Sequence, residues 1–356
     1  MKFFFCIFCI ILFISKTENV FSNNLIYDVN NVEIKGNINS SFTNTNLIEA
    51  AFKKAFIVFA NKTLLKKDAV SLYETKSKTI KDLVFTYQIK KKETNSNKET
   101  LLILNIKFDS KKINNFLAQR RIPYADISNI SITLLPILIK EREIFLYEEN
   151  FFYKNWNKSR NKKKNINEAL IINYNLALES IEDLEYINKF KKNIDLINIK
   201  KINSFYGSDN YALLIIYSTD DEFKAFIKTS IKDKDVDRNI NLKIYPSDEK
   251  KAYVEAISNI KSEINQIWKE QNLIDVNTPS FLDFFLEIKK TNDYLKVKNI
   301  LDSIDIIENY SVLEMTNSYF KIRLKYRGKV SKIKNKLMEQ KIDIQIIDNI
   351  WKLKIN

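Results

Sequence analysis

Both cysteines of this chain, Cys6 and Cys9, lie inside an unbroken apolar run from Phe3 to Ile14, and the sequence holds no histidine. The run follows Met1 and the single cation Lys2. It ends in the polar stretch Ser15-Lys16-Thr17-Glu18-Asn19 ahead of Val20-Phe21-Ser22. Twelve apolar residues fall short of the about 20 that cross a bilayer, but they match the core of a secretory signal peptide. Val20 and Ser22 suit the −3 and −1 pockets of a signal peptidase, so residues 1–22 are expected to be removed after Ser22, and both cysteines with them. No small-residue lipobox precedes either cysteine, which argues against a lipidated amino terminus. The remaining chain must hold itself by an apolar core, without the disulfides that brace small exported domains. It has no later run of 18 apolar residues, so no transmembrane helix is expected after cleavage.

The same scarcity removes whole classes of chemistry. Without histidine, and with no cysteine left, the Ser-His-Asp and Cys-His constellations, zinc sites built on those ligands and thiol exchange are excluded for the mature chain. The three glycines, Gly36, Gly207 and Gly328, stand far apart. Walker loops and GxGxxG turns need clustered glycine so that the backbone can approach phosphate, and neither is present. No cofactor is expected, and any catalysis would fall to carboxylate, lysine, tyrosine or serine.

The formal net charge is +14, a field that favours anionic partners. Lysine supplies nearly all of it, 51 residues against 7 arginines. Scattered lysine amid dense asparagine and isoleucine reads as AT-rich coding rather than as a selected phosphate surface, for which arginine forks are better suited. No nucleic-acid partner is expected.

Periodicity divides the mature chain into three parts, an N-terminal α/β domain over 23–128, a central one over 129–276 and a C-terminal one over 277–356. The first reads as a strand at 25–35, a helix from Thr43–Thr45 to about Asn61 with Leu47, Ala51 and Ala55 at four-residue spacing, and a short helix near 77–83. Strands Val84 to Ile89 and Leu101 to Phe108 follow, joined by a polar connection, then a helix capped by Asp109 and stopped by Pro123. The central part begins with the apolar strand Ile130 to Ile139, in which Pro136 suggests an edge or a bulge. An aromatic helix follows between Glu148 and Asn167, then strands at 212–217, 223–229 and 240–245. It closes on a long helix, Asp248 to Gln271, with Ala252, Ala256, Ile260, Ile264 and Trp268 in register. The last part reads β-α-β-β-α-β with one added strand, the split βαβ order of ferredoxin-like domains. The fold class is therefore α+β, several small mixed domains.

Over residues 25–140 the order of features resembles a family of exported Gram-negative bacterial proteins catalogued as domain of unknown function 2066. The likeness rests on the helix bearing Ala51, Ala55 and Val58, the Phe85-Thr86-Tyr87 strand, Leu104 through Asp109, Phe116-Leu117, Ile122-Pro123-Tyr124 and the strand through Leu134-Leu135. Asn61 and Arg121 stand where that pattern has glycine, and Tyr124 where it has tryptophan. The resemblance implies a periplasmic envelope protein of small α/β domains and brings no activity with it.

Three clusters are candidate sites. Arg120 and Arg121 at a helix end would form an anion clamp or merely complement the helix dipole. Trp156, Lys158, Arg160, Lys162, Lys163 and Lys164 interleave aromatic with basic character, as at anionic lipid or partner surfaces, or form a helix face followed by a solvated loop. Asp220, Asp221 and Glu222 would serve glycoside hydrolysis or hold a hard cation, or simply make a hairpin turn. The expected function is a non-catalytic binding or assembly module with another envelope protein as partner. The alternatives are a carboxylate-dependent hydrolase acting on cell-wall glycan and a peripheral binder of anionic lipid.

Overall fold

The computed structural model describes residues 27–37, 43–96, 99–125, 130–158, 172–219, 222–245, 247–276, 278–287, 292–348 and 350–355. They form a mixed α+β protein of two compact units, Val29–Ser280 and Phe281–Asn356, the second grouped with Tyr27 and Asp28. The expected signal segment lies outside the described residues.

In the larger unit, β1 (Asp28–Asn37) is followed by α1 (Asn44–Thr63), α2 (Lys66–Ser71), α3 (Ser77–Leu83), β2 (Val84–Thr94), β3 (Glu99–Phe108) and α4 (Ser110–Gln119). The strands form a sheet in the order β1-β3-β2. Leu47, Ala51 and Ala55 of α1 are fully buried, as are Leu104 and Ile106 of β3. Small alanines let a helix approach a sheet closely, and larger rings then fill the flanks. Phe56 and Phe59 lie 6.1 and 5.7 Å from Phe108 between ring centroids. Asp109 accepts from the Lys112 N–H and so caps α4, as the sequence indicates. The polar stretch expected as a connection is instead strand as far as Thr94, paired to Thr100. At an edge, exposed lysines are tolerated, so polarity there did not signal a loop.

The chain continues through β4 (Tyr124–Ala125), β5 (Ile130–Lys140), β6 (Glu143–Phe145), α5 (Phe151–Asn155), β7 (Ile172–Leu176) and α6 (Ile181–Lys189). It then enters β8 (Asn210–Ser218), β9 (Phe223–Ile231), β10 (Lys234–Asn241), α7 (Glu249–Gln271) and β11 (Leu273–Ile274). The sheet order is β10-β9-β8-β5-β6, with β7 also on β5. The third strand of this region is Lys234–Asn241 rather than the expected 240–245. A two-residue turn with positive φ at both Lys232 and Asp233 makes the hairpin without the Asn-Gly pair that usually announces one.

Pro136 is not at a sheet edge. It sits in β5, between β8 on one side and two partial neighbours on the other. The β7 ladder ends at Leu134 and the β6 ladder begins at Leu138, so the missing N–H falls in the gap between them. The fully buried Asn150 fills that gap. Its amide donates to the carbonyls of Pro136 (2.9 Å) and Phe145 (3.1 Å), and its Oδ1 accepts from the Phe152 N–H (2.8 Å) to cap α5.

The sequence reading divides this unit at residue 128, but α7 ties the two parts into one body. Asp248 caps it, and the predicted stripe Ala252, Ala256, Ile260, Ile264 and Trp268 is buried. Two lysines are buried with it, Lys261 at 5% and Lys269 at 1% exposure. The Lys269 ammonium donates to the carbonyls of Asn61 (2.5 Å) and Leu64 (2.8 Å) at the C-terminal end of α1. Lys261 donates to the Trp156 carbonyl (2.6 Å) at the end of α5 and lies 5.2 Å over the Trp156 ring. Burying an ammonium costs several kcal/mol, and here the cost is offset only in part, by helix ends whose dipoles and open carbonyls favour a cation. The antiparallel pair β4–β11, Tyr124 to Ile274 and Ala125 to Leu273, adds a second tie.

The smaller unit runs β12 (Ser280–Glu287), α8 (Asp293–Ser303), β13 (Ile307–Met315), β14 (Tyr319–Tyr326), α9 (Val330–Glu339), β15 (Ile342–Ile347) and β16 (Ile350–Ile355). The element order matches the sequence reading almost residue for residue. The sheet order is β13-β14-β12-β16-β15, so the added strand stands inside the sheet, parallel to β12 and antiparallel to β15. Phe284, Val297, Leu301, Ile322, Leu324, Ile333 and Leu337 form its core. Across the opposite face, Arg323 grips Asp283 through two 2.7 Å bonds and holds that carboxyl below its usual pKa.

Replacing Asn150 with Ala removes a cap and strands the Pro136 carbonyl in the core, at a cost of about 2–4 kcal/mol in denaturant unfolding. Burial lowers the Lys269 pKa from 10.5 to about 8. A cation whose folded pKa is depressed makes the unfolded state bind more protons, so it contributes stability that grows as pH rises from about 8 to 10.5, roughly 3 kcal/mol in full. The Lys269→Met variant lacks that rise, which the difference between the two pH profiles measures.

Candidate functional site

Arg120 lies 3.7 Å over the Phe116 ring and donates from Nη1 to the Phe116 carbonyl (3.3 Å), closing the end of its own helix α4. Arg121 is exposed and has φ 56°, and its N–H bonds the Ala118 carbonyl (2.9 Å). This is the left-handed residue that ends a helix, a position that favours glycine. Both residues take part in closing the end of α4. Trp156, expected at a contact surface, is fully buried beneath Lys261 and edge-on to Tyr174 at 5.5 Å. Its neighbours also point inward, with Phe152 in the core and the Tyr153 hydroxyl donating to the Ala177 carbonyl (2.8 Å). Lys158 is exposed. Arg160, Lys162, Lys163 and Lys164 lie outside the described residues.

Asp220 and Asp221 also lie outside the described residues. Glu222 closes the β8–β9 hairpin: its carbonyl accepts from the Thr219 N–H (2.9 Å) and its carboxylate pairs with Lys224 (2.9 Å). Other carboxylates serve the fold. Asp183, buried, accepts from the Asn203 and Ser204 N–H groups (2.5 and 2.9 Å), and Glu263 and Glu270 hold Arg238 (3.1 and 2.9 Å). Among the described residues no three metal-ligating side chains gather, and no helix is long and apolar enough to cross a membrane.

One exposed feature that the fold of the larger unit builds is strand β2. It ends its sheet, and every side chain from Phe85 to Thr94 is exposed. Phe85, Tyr87 and Ile89 are 68%, 45% and 43% accessible. Tyr87 and Ile89 pair with the buried Ile106 and Leu104, so they share the helix-covered face of the sheet but reach past α1. Phe52 of α1 meets Tyr87 edge-on at 5.2 Å and steadies the rim. Register shifts at Val84/Thr86 and Ile89/Lys91 leave Thr86–Ile89 as the regular stretch between two bulges. Beyond it lie Lys90, Lys91 and Lys92, with Lys91 paired to Glu93 at 2.8 Å. Bulges and lysines are the usual guards of an edge strand against indiscriminate pairing. Together they confine the accessible edge to about one short segment. The alternation of Phe85-Thr86-Tyr87 marks a strand in the sequence, but its place at the rim depends on which strand β3 pairs with on its other side.

Comparison of the chain with protein-family models, curated proteins and solved structures finds no match.

Arg121→Gly relieves a left-handed backbone at an exposed site and is expected to raise stability by about 1 kcal/mol in chemical denaturation.

Proposed function

We propose that this chain is an exported periplasmic envelope protein, a non-catalytic binding module that takes up an extended segment of another envelope protein along β2. The supporting observation is the rim itself, a strand with three accessible apolar side chains, open main-chain groups at the end of a sheet and lysines beside them. Main-chain pairing supplies affinity in such β-augmentation, and alternate side chains supply selectivity. The partner segment would carry apolar residues for the Phe85–Ile89 stretch and acids for Lys90–Lys92. Export rests on the apolar segment at residues 3–14 and on the resemblance over residues 25–140. The smaller unit is read as an elaborated ferredoxin-like sheet.

A photo-crosslinkable residue placed at Phe85 or Ile89 in intact cells is expected to capture one protein, and the same group at the exposed Val254 of α7 is not. In the purified complex the amides of Thr86–Ile89 gain protection from hydrogen exchange. Phe85→Lys weakens capture from Ile89 at least tenfold while leaving unfolding unchanged within about 0.5 kcal/mol. Equal capture from Val254, or no new protection on β2, overturns the reading. The mature chain is expected to begin at Asn23 by mass measurement.

A further inference from the structure

Strands β5 and β8 are adjacent and parallel, with Ile139 level with Tyr217 near their carboxyl ends. From those ends the chain leaves in opposite directions, from β5 to β6 on one side and from β8 to β9 on the other. Divergent connections leave a crevice beside the strand ends, the common place for a ligand in sheets with parallel strands. A cleft of about 480 Å³ lies there, within the roughly 300–1,000 Å³ of small-molecule sites. One of its walls is residues 191–196, after α6. The Tyr217 hydroxyl donates to Asp195 Oδ1 (2.7 Å), and Lys228 Nζ donates to the carbonyls of Asp195 (2.6 Å) and Ile197 (3.0 Å), so that wall is pinned to β8 and β9.

The groups that reach the cleft are of two kinds. Ile139, Ile144 and Tyr217 are half-buried and Leu196 is 68% exposed, so each has surface to offer a ligand. Arg142, Lys191 and Lys192 are exposed lining residues, and their side chains have no acid or hydrogen-bond partner among the described residues. The hydroxyl and carboxylate groups of the lining are already engaged. Asp195 takes the Tyr217 proton, and the Thr219 hydroxyl donates to the Glu222 carbonyl (3.2 Å). That leaves little to read the hydroxyls of a sugar or the main chain of a peptide. Arg142 is held at the rim at a conformational cost, since it and Glu141 form a turn with φ of 68° and 52° that glycine adopts more easily.

We propose that this cleft binds a single-chain amphiphile with an anionic head, a fatty carboxylate or an alkyl phosphate. The head meets Arg142, Lys191 and Lys192, and the chain lies along Ile139, Ile144, Tyr217 and Leu196. Aliphatic surface beside unpaired cations fits a ligand that carries both characters. An apolar chain removes the Leu196 and Ile144 surface from water, and the guanidinium fork of Arg142 matches a carboxylate or phosphate. At about 30 Å³ per water-sized group the cleft holds about sixteen heavy atoms, about a ten- to twelve-carbon chain with its head. The site is separate from the β2 rim, so the two readings stand or fall independently.

Titration of the purified protein below the micellar concentration tests this with decanoate, decyl phosphate, decanol, decyltrimethylammonium and hexanoate as probes. Decanoate and decyl phosphate are expected to bind one per chain, and the tighter of the two identifies the head. Decanol and decyltrimethylammonium should bind at least tenfold more weakly than decanoate. Hexanoate should bind at least thirtyfold more weakly, since each lost methylene removes buried apolar surface. Combining Arg142→Gly with Lys191→Ala and Lys192→Ala should weaken decanoate at least tenfold and leave decanol unchanged. Glycine relieves the left-handed turn, so this variant is expected to unfold at no lower denaturant concentration, which separates loss of binding from loss of fold. A diazirine on the decanoate chain should crosslink within residues 139–144 or 191–196. No saturable binding of decanoate or decyl phosphate, equal affinity for decanol, unchanged affinity in the triple variant, or crosslinks confined to other segments overturns the proposal.

Discussion

The larger unit depends on two ammonium groups placed by one helix at the ends of two others. Lys269 and Lys261 stand two turns apart on α7, so a single rod delivers one charge to the open carbonyls of α1 and one to those of α5. Each charge sits where the receiving helix is most negative, and each lysine stem adds apolar contact along the way. An apolar helix in the same place would bury similar area but leave those carbonyls unsatisfied. The two sheets therefore share a fate, and the division near residue 128 that periodicity suggests falls inside the compact unit Val29–Ser280.

What the sequence reveals is governed by how local the cause is. The alanine row of α1, the Asp109 and Asp248 caps and the whole element order after Ser280 follow from neighbours within a few positions, and the structure has them where the pattern places them. Pro136 could not be placed in the same way. Its tolerance depends on two strands that both stop short of it and on a side chain 14 residues away. The Lys232-Asp233 turn adopts a conformation usually marked by glycine or asparagine, and so the sequence reading starts the next strand only at 240 rather than at Lys234. Lysine on a helix reads as solvent-facing, yet Lys261 and Lys269 fall on or beside the buried stripe defined by Ile257, Ile264 and Trp268. Their place on that stripe was the available signal, and only the position of the α1 and α5 termini shows what it meant.

The candidate surface moved for the same reason. Arginine pairs and aromatic-basic runs suggest contact sites when read as strings. In space Arg120 is spent on its own helix and Trp156 on the core. Three accessible apolar groups, Phe85, Tyr87 and Ile89, stand instead along β2, where the sheet runs out of strands. Chemistry that needs histidine stays excluded whatever the fold, because the sequence holds none. Main-chain pairing at a guarded strand edge, the role proposed for β2, needs no such side chain.

Native-state hydrogen exchange tests most directly the claim that α7 unites Val29–Ser280. The account predicts that the core amides of α1, β5 and α7 exchange through one common opening, with the same free energy and the same denaturant dependence. If α1 and the β1–β3 sheet opened at distinctly lower free energy while β5, β8 and α7 stayed protected, the lysine plugs would not join the layers, and the account would fail.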